Sequence, residues 1–280
     1  QRWTLCDATN AAEFSAVGYY FGRELRRTVK RPIGLISASW AGSCIEAWMS
    51  PKALKSDPDF APILARWEQK KADYPAKKAA FEKNKEALLA AWQAEAAKAK
   101  AEGKPEPLKP GPGPGPGSLD TPSGLFLGEV VPIAPYGLRG VVWYQGEQNS
   151  GRGVQYRKLL PALIADWREL WRQGDFPFLI VQLPNFGKVK PEPANSLWAE
   201  LREAQAQALA VTNTALAVTI DVGEEGDVHP KDKKTVGLRL AHIAASEYEG
   251  VRLDRDVYGP TLRSTSSEGD ALRVTFSHAE

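Results

Sequence analysis

The sequence predicts an α/β protein with a parallel sheet, and two observations support this class. Four short apolar runs have the composition of buried strands, at residues 31–40, 138–145, 176–183 and 214–222. Segments with helical spacing of apolar residues alternate with them, at residues 10–30, 156–171, 197–210 and 233–247. Because strands that alternate with helices are typical of βαβ units, the strands are expected to pair in parallel.

The first helix is predicted over residues 10–30. Asn10 is placed to cap its amino end, because Glu13 follows three residues later as in a capping box. The apolar run at 31–40, RPIGLISASW, comes directly after this helix. We expect it to form a buried strand of the sheet.

A different composition begins near residue 58. One apolar stripe on a charged helix is predicted by side chains that recur every seven residues, namely Trp67, Tyr74, Phe81 and Leu88. Pro75 is expected to break or kink this helix. The Pro/Gly-rich segment at 103–118 has no periodicity, so we expect it to be extended, polyproline-like and poorly packed. We interpret 58–118 as a helical insertion with a return linker. This insertion is either a surface segment without a role in function, or a lid or a surface that binds a partner.

The end of the chain has a third pattern. Residues 260–278 alternate in polarity around a Gly-Asp turn, which predicts the opening hairpin of a β-rich module. The predicted organisation is therefore an α/β domain interrupted by the insertion and followed by this module, with boundaries at 1–57, 58–118, 119–257 and 258–280.

Composition excludes several function classes. The net charge of +2 gives no electrostatic reason to expect a nucleic-acid partner. No apolar run is long enough to cross a membrane. The two cysteines, Cys6 and Cys44, cannot build a disulfide framework and have no zinc-ligand spacing. We therefore predict no metal site.

Polar residues gather where the predicted strands end, which is where open α/β sheets carry their reactive groups. Gly42 follows the 31–40 run and would let a backbone N–H approach a substrate, although a simple turn also needs glycine there. Four polar residues crowd around Gly146 after the next strand, namely Gln145, Glu147, Gln148 and Asn149. These side chains either bind a polar ligand or form hydrogen bonds to the backbone of their own turn.

The loop after the 214–222 strand carries His229. Asp227 lies two residues before it and Asp221 at the end of the strand. A histidine with a carboxylate partner is the usual general-base unit, so we predict a catalytic base here rather than a capping histidine. Asp227 is the first choice for orienting the imidazole, and Asp221 is the reserve.

These segments together resemble the sialate O-acetylesterase family, a branch of the SGNH (GDSL-like) hydrolases. The resemblance is carried in order by FSAVGYYFGREL, RPIGLISASWAGSCIEAW, LRGVVWYQGEQN, DFPFLIVQLPNF, LREAQ and DVHPKDKKTVGLRLA. It implies a three-layer α/β/α, flavodoxin-like fold and removal of O-acetyl groups from sialic acid or other sugars without a cofactor. His229 then resembles the catalytic base, Gly42 and Gln145 the oxyanion-hole donors, and Glu147 and Asn149 residues that shape the substrate site.

The family's nucleophile is a serine in a GQSN-type motif, which does not occur in these 280 residues. Ser37, Ser39 and Ser43 are not in that context, so we expect a processed or truncated piece that lacks the first strand and has no esterase activity alone. The resemblance also implies an exported protein that acts on acetylated carbohydrate. It does not indicate an oligomeric state. A non-catalytic carbohydrate-binding or scaffold protein, or an interaction arm at 58–118, would be the alternatives.

Overall fold

A three-stranded parallel sheet forms the centre of the computed structural model, which describes residues 3–104, 106–192, 194–254 and 256–279. Its strands are β1 (Val141–Trp143), β2 (Phe178–Val181) and β3 (Thr214–Ala217), in the order β1-β2-β3. Phe178 pairs with Val141 on one side and with Thr214 on the other. The predicted α/β class and parallel pairing are confirmed. Residues 1, 2, 105, 193, 255 and 280 of the predicted segments lie outside the described residues.

The described residues form six α-helices. They are α1 (Ala8–Ala11), α2 (Ala16–Val29), α3 (Ala61–Ala101), α4 (Gly153–Trp171), α5 (Leu197–Gln207) and α6 (Lys233–Ile243). Short 3₁₀ turns lie at Ile45–Trp48, Ala53–Lys55, Pro58–Phe60, Val131–Ile133, Glu147–Arg152 and Ala208–Ala210, and π-helical turns at Phe126–Val130 and Ala244–Tyr248.

The two faces of β2 are buried against different helices, because successive side chains of a strand point to opposite sides. Leu179 and Val181 share a buried cluster with apolar residues of α2 and α6. Phe178, on the opposite face, contacts Trp167 of α4, with ring centroids 5.8 Å apart. Helix, sheet and helix thus form three layers, which explains why 176–183 reads as a continuous apolar run rather than an alternating one.

Helices α2 and α6 approach each other closely at Gly237. A Cβ at this position would lie 2.9 Å from the backbone oxygen of Val17 and 2.6 Å from the Cβ of Tyr20. Both distances are too short for a real contact, so only glycine fits here. This close packing holds the amino end of α6, which follows the His229 loop, against the rest of the layer.

The predicted strand at 31–40 is not formed. Among the described residues no sheet partner pairs with this run, and six of its ten residues are exposed, including Trp40. Ile33 packs against the buried cluster of the sheet. A strand needs a neighbouring strand to pair with, as well as suitable residues of its own. The apolar composition of this run therefore did not suffice to make it a strand.

The predicted helix at 10–30 is divided in two. Asp7 caps α1, and Asn10 is the third residue of that short helix rather than a cap. Ser15 caps α2 by accepting a hydrogen bond from the Gly18 N–H at 3.1 Å. A serine three residues before an N–H can satisfy that donor better than an asparagine further upstream, so the long helix begins at residue 16.

The chain divides into two units, Gln1–Ile45 with Ile133–Glu280 (the sheet unit) and Glu46–Pro132 (the helical unit). The boundaries expected from sequence, at 57/58, 118/119 and 257/258, stay predictions. In the sheet unit, β4 (Thr261–Glu268) and β5 (Ala271–Ser277) form the antiparallel hairpin expected near the end of the chain.

Helix α3 of the helical unit continues through Pro75, so the expected break is absent, whereas a kink at this position stays a prediction. Its neighbours are mostly Ala, Lys and Glu, which are strong helix formers and offset one missing backbone donor. The Pro/Gly segment is also better packed than predicted. The Trp92 indole N–H donates to the Pro107 carbonyl at 2.8 Å, and a Cβ on Gly115 would lie 2.3 Å from the Tyr74 ring. The absence of side chains on its glycines lets this segment lie against the aromatic rings of α3.

Candidate functional site

Three loops of the sheet unit meet beyond the carboxyl ends of the strands, as the sequence predicted. The Gln145 amide, after β1, donates to the Ser43 carbonyl at 3.0 Å. The Lys233 ammonium, at the start of α6, lies 5.5 Å from the centre of the Tyr144 ring. The loop after β1 therefore contacts both the Gly42 segment and the His229 segment.

Gly42 has a backbone conformation that suits close approach of a substrate to its N–H. Its φ of +74° lies in the left-handed region, which side chains other than glycine rarely adopt. The Ser43 hydroxyl donates to the Trp40 carbonyl at 2.8 Å and closes this turn. The Gln148 side-chain nitrogen lies 3.8 Å from the position that a Cβ on Gly42 would take. A backbone N–H and a side-chain amide thus lie near each other at this point.

The half-buried Gln145 and the buried Asn149 form a clamp between two of the loops. The Gln145 amide nitrogen donates to Ser43 and also to the Asn149 side-chain oxygen, at 2.7 Å. That same oxygen accepts from the Ile45 N–H at 2.9 Å. Since an amide has only two N–H groups, both donors of Gln145 are engaged here. Asn149 is fully buried, so its predicted contact with substrate would require the loop to open.

The clamp extends into the layer of α4 and α5. The Tyr156 hydroxyl donates to the Gln145 side-chain oxygen at 3.0 Å, and Tyr156 itself is fully buried. Gln205 donates to the Gln145 backbone carbonyl at 3.0 Å. Buried polar groups of this kind are costly unless they are paired, which ties the conformation of this loop to the core.

Glu147 is the acidic group that faces the histidine loop. Burial raises the pKa of Glu147, while its own backbone N–H and the nearby His229 and Lys233 oppose that rise. Burial lowers the pKa of Lys233, and Glu147 and Asp227 oppose that change. Burial also raises the pKa of Tyr144, with a further contribution from the Glu147 charge. Glu147, His229 and Lys233 therefore form one electrostatic group.

His229 is accessible to a substrate. Its side chain is 79% exposed, and its Nδ1 atom lies 3.5 Å from an Asp227 carboxylate oxygen. Asp227 also accepts the His229 backbone N–H at 2.8 Å, which fixes the turn. Asp221 binds Arg239 through two contacts of 2.6 Å, and these hydrogen bonds hold its pKa below the usual range. The reserve carboxylate is thus engaged elsewhere, and Asp227 is the one beside the imidazole.

Sequence reasoning missed Lys233 and noted Gln148 only as one of the polar residues around Gly146, without a role. A lysine at the first position of a helix is a detectable signal, because the helix dipole disfavours a cation there. Such a residue is expected to have a local anionic partner. Nothing in the sequence distinguishes Gln148 from Gln145, since only the fold decides which amide is buried.

Replacing Lys233 by methionine is expected to raise the pKa of Glu147 further. The ammonium favours the ionised carboxylate, so its removal leaves burial less opposed. Carbon-13 NMR of the glutamate carboxyl groups against pH measures the change, and loss of the signal in Glu147→Gln assigns it. Lys234→Met is the matched control, because Lys234 is the exposed neighbour on the same helix. Equal shifts in both variants, or a fall in the pKa of Glu147, would contradict the arrangement.

Among the described residues, no group of three or more His, Cys, Asp or Glu side chains has the arrangement of a metal site. No α-helix among them is long and apolar enough to span a bilayer.

Comparison with known proteins identifies relatives of this arrangement. Residues 130–246 match the family model described as a carbohydrate esterase, sialic acid-specific acetylesterase. Sialate O-acetylesterase from Rattus norvegicus is 30% identical over 266 residues, which cover 84% of this chain and 43% of the relative. The human protein of the same name is 30% identical over 252 residues, covering 82% of this chain and 38% of the relative.

A solved structure is also similar. A carbohydrate acetylesterase from Xanthomonas citri superposes with a TM-score of 0.69 at 30% identity, over 96% of this chain and 49% of that one. The chain spans less than half the length of the relatives it matches. The resemblance found in the strand-end motifs, to the carbohydrate esterase family of sialic acid-specific acetylesterases, is confirmed.

Proposed function

We propose that this chain contributes the base and part of the oxyanion hole to an esterase that removes O-acetyl groups from sialic acid or other acetylated sugars. One observation carries the proposal: the exposed His229 imidazole lies beside Asp227, and the half-buried Glu147 near it belongs to the loop after β1, which also contacts the Gly42 turn. Ester cleavage needs a group that moves protons and donors that stabilise a developing oxyanion, and these loops offer both.

His229 accepts the proton of a nucleophilic hydroxyl while that oxygen attacks the acetyl carbonyl. It then returns the proton to the departing sugar hydroxyl, which leaves an acetyl-enzyme that water hydrolyses by the same route. Asp227 orients the imidazole, and the negative charge of Glu147 stabilises the imidazolium that forms. Both roles rest on the positions of the two carboxylates described above.

The Gly42 backbone N–H is the proposed first donor to the oxyanion. The Gln145 amide, which the family resemblance assigns as the second, would have to exchange one of its two present hydrogen bonds to act. Gln148 is the alternative, because its amide lies next to Gly42 without such an exchange.

The nucleophilic serine is proposed to come from sequence outside these 280 residues, since no Gly-Gln-Ser-Asn motif occurs among them. Ser37 and Ser39 have their hydroxyls 3.3 Å apart, and Ser43 donates to a backbone carbonyl. We further propose an exported protein, in keeping with a substrate found on glycans.

Acetate release by the full-length protein tests the proposal. O-acetylated N-acetylneuraminic acid is expected to yield acetate and the free sugar, whereas the N-acetyl group, an amide, should remain. Binding of the sugar without acetate release would favour the alternative of a non-catalytic carbohydrate-binding protein. Release of acetate that survives removal of the family's serine and depends on Ser37, Ser39 or Ser43 would refute the assignment of the nucleophile.

A further inference from the structure

The loop after β2 carries an aromatic pair that the chemistry above does not use. Phe186 is 43% exposed, and its ring centroid lies 5.2 Å from that of Trp198. The Trp198 indole N–H donates to the Pro184 carbonyl at 2.6 Å, which fixes the larger ring. An exposed phenylalanine supported by an anchored tryptophan forms a small apolar surface, which we call the aromatic shelf.

The aromatic shelf lies at the same edge of the sheet as the candidate site. Strand β2 is the middle strand, so the loop after it begins between the loops that follow β1 and β3. The first of those outer loops carries Glu147, and the second carries His229. Ligands of open parallel sheets bind at this edge, beyond the carboxyl ends of the strands.

Backbone contacts join the shelf to the histidine loop. Phe186 forms a parallel β-bridge with Glu224, and the Gly187 N–H donates to the Glu225 carbonyl at 3.0 Å. The Asn185 side-chain oxygen accepts the Gly223 N–H at 2.7 Å. The Glu224 carboxylate in turn accepts the Lys231 N–H at 3.3 Å, two residues beyond His229. The position of Phe186 is therefore fixed relative to the loop that carries the proposed base.

We propose that the aromatic shelf binds the pyranose ring of the acetylated sugar while its ester lies at His229; this inference rests on the proposed function. A pyranose ring has an apolar face of C–H groups and a rim of hydroxyls. An exposed aromatic ring can cover the first while water or protein solvates the second, as in other amphipathic contacts of aromatic side chains. The shelf thus distinguishes sugar acetates from acetates that have no ring.

The first test measures binding without turnover. The probe is the methyl glycoside of N-acetylneuraminic acid, which has no ester, and saturation-transfer NMR with the full-length protein gives its Kd. Phe186→Ala is expected to raise Kd roughly three- to tenfold, the size of a single aromatic contact. Phe186→Tyr, which keeps the ring, should stay within about twofold of the wild type. Val189→Ala is the matched control, because Val189 is 93% exposed in the same loop.

The second test compares two esters with the same variants. Phe186→Ala should raise KM for O-acetylated N-acetylneuraminic acid by a factor roughly three to ten times larger than any change for ethyl acetate, which has no ring. Equal effects on both esters, equal effects of Phe186→Ala and Val189→Ala, or no binding of the glycoside to the wild type would overturn the shelf.

The two proposals fail separately in these experiments. Glycoside binding that depends on Phe186 without hydrolysis of either ester would support the shelf and refute the esterase. Hydrolysis of the sugar ester that is indifferent to Phe186 would support the esterase and refute the shelf.

Discussion

Replacement of His229 by alanine is expected to lower kcat for acetyl-ester hydrolysis by about 10²- to 10⁴-fold, the usual contribution of a positioned general base. The imidazole is exposed on a loop, and its removal leaves no buried cavity. The loss should therefore fall on kcat rather than on stability. Initial rates of acetate release by the full-length protein measure the first, and circular dichroism checks the second.

His278→Ala is the matched control for this experiment. His278 also has a carboxylate neighbour, Asp256, but lies in the terminal hairpin rather than at the carboxyl ends of the parallel strands. Its replacement should leave kcat within about twofold, as expected for a surface position away from the site. Retention of more than a tenth of the activity in His229→Ala, or equal losses in both variants, would remove His229 from the mechanism.

The sequence predicted a strand correctly where that strand is buried on both faces. Residues 176–183 were identified as a strand because β2 is covered on both faces and has to be apolar throughout. The run at 31–40 has similar residues and forms no ladder among the described residues. What separates the two runs is the presence of a paired neighbour, and a strand's neighbours are not encoded in its own composition.

The sequence indicates where the candidate site lies, but not which role each of its residues has. Polar residues after β1 and β3 had to lie at one edge, because parallel strands place their carboxyl ends together. The roles of the individual amides depend on contacts across the fold. Gln145 donates a hydrogen bond to the Ser43 carbonyl, more than one hundred positions away in the chain. No local sequence pattern predicts such a bond.

Replacing Gln145 by methionine is expected to lower the free energy of unfolding by about 1–3 kcal/mol, the cost of leaving buried hydrogen-bonding groups without one partner. Methionine has a similar length, so the change removes hydrogen bonds more than volume. The lost contacts are those to Ser43, Asn149 and Tyr156. Urea-induced unfolding of the full-length protein measures the difference.

Gln148→Met provides the comparison, because it makes the same chemical change three residues away on an exposed side chain. Its effect on unfolding should stay within about 0.5 kcal/mol, the usual range for surface substitutions. Similar losses of stability in both variants would contradict the clamp. A Gln145→Met protein as stable as the wild type, but with kcat reduced about 10²-fold or more, would instead identify Gln145 as a donor to the oxyanion. The pair of variants therefore separates an amide that holds two loops together from one that acts in the reaction.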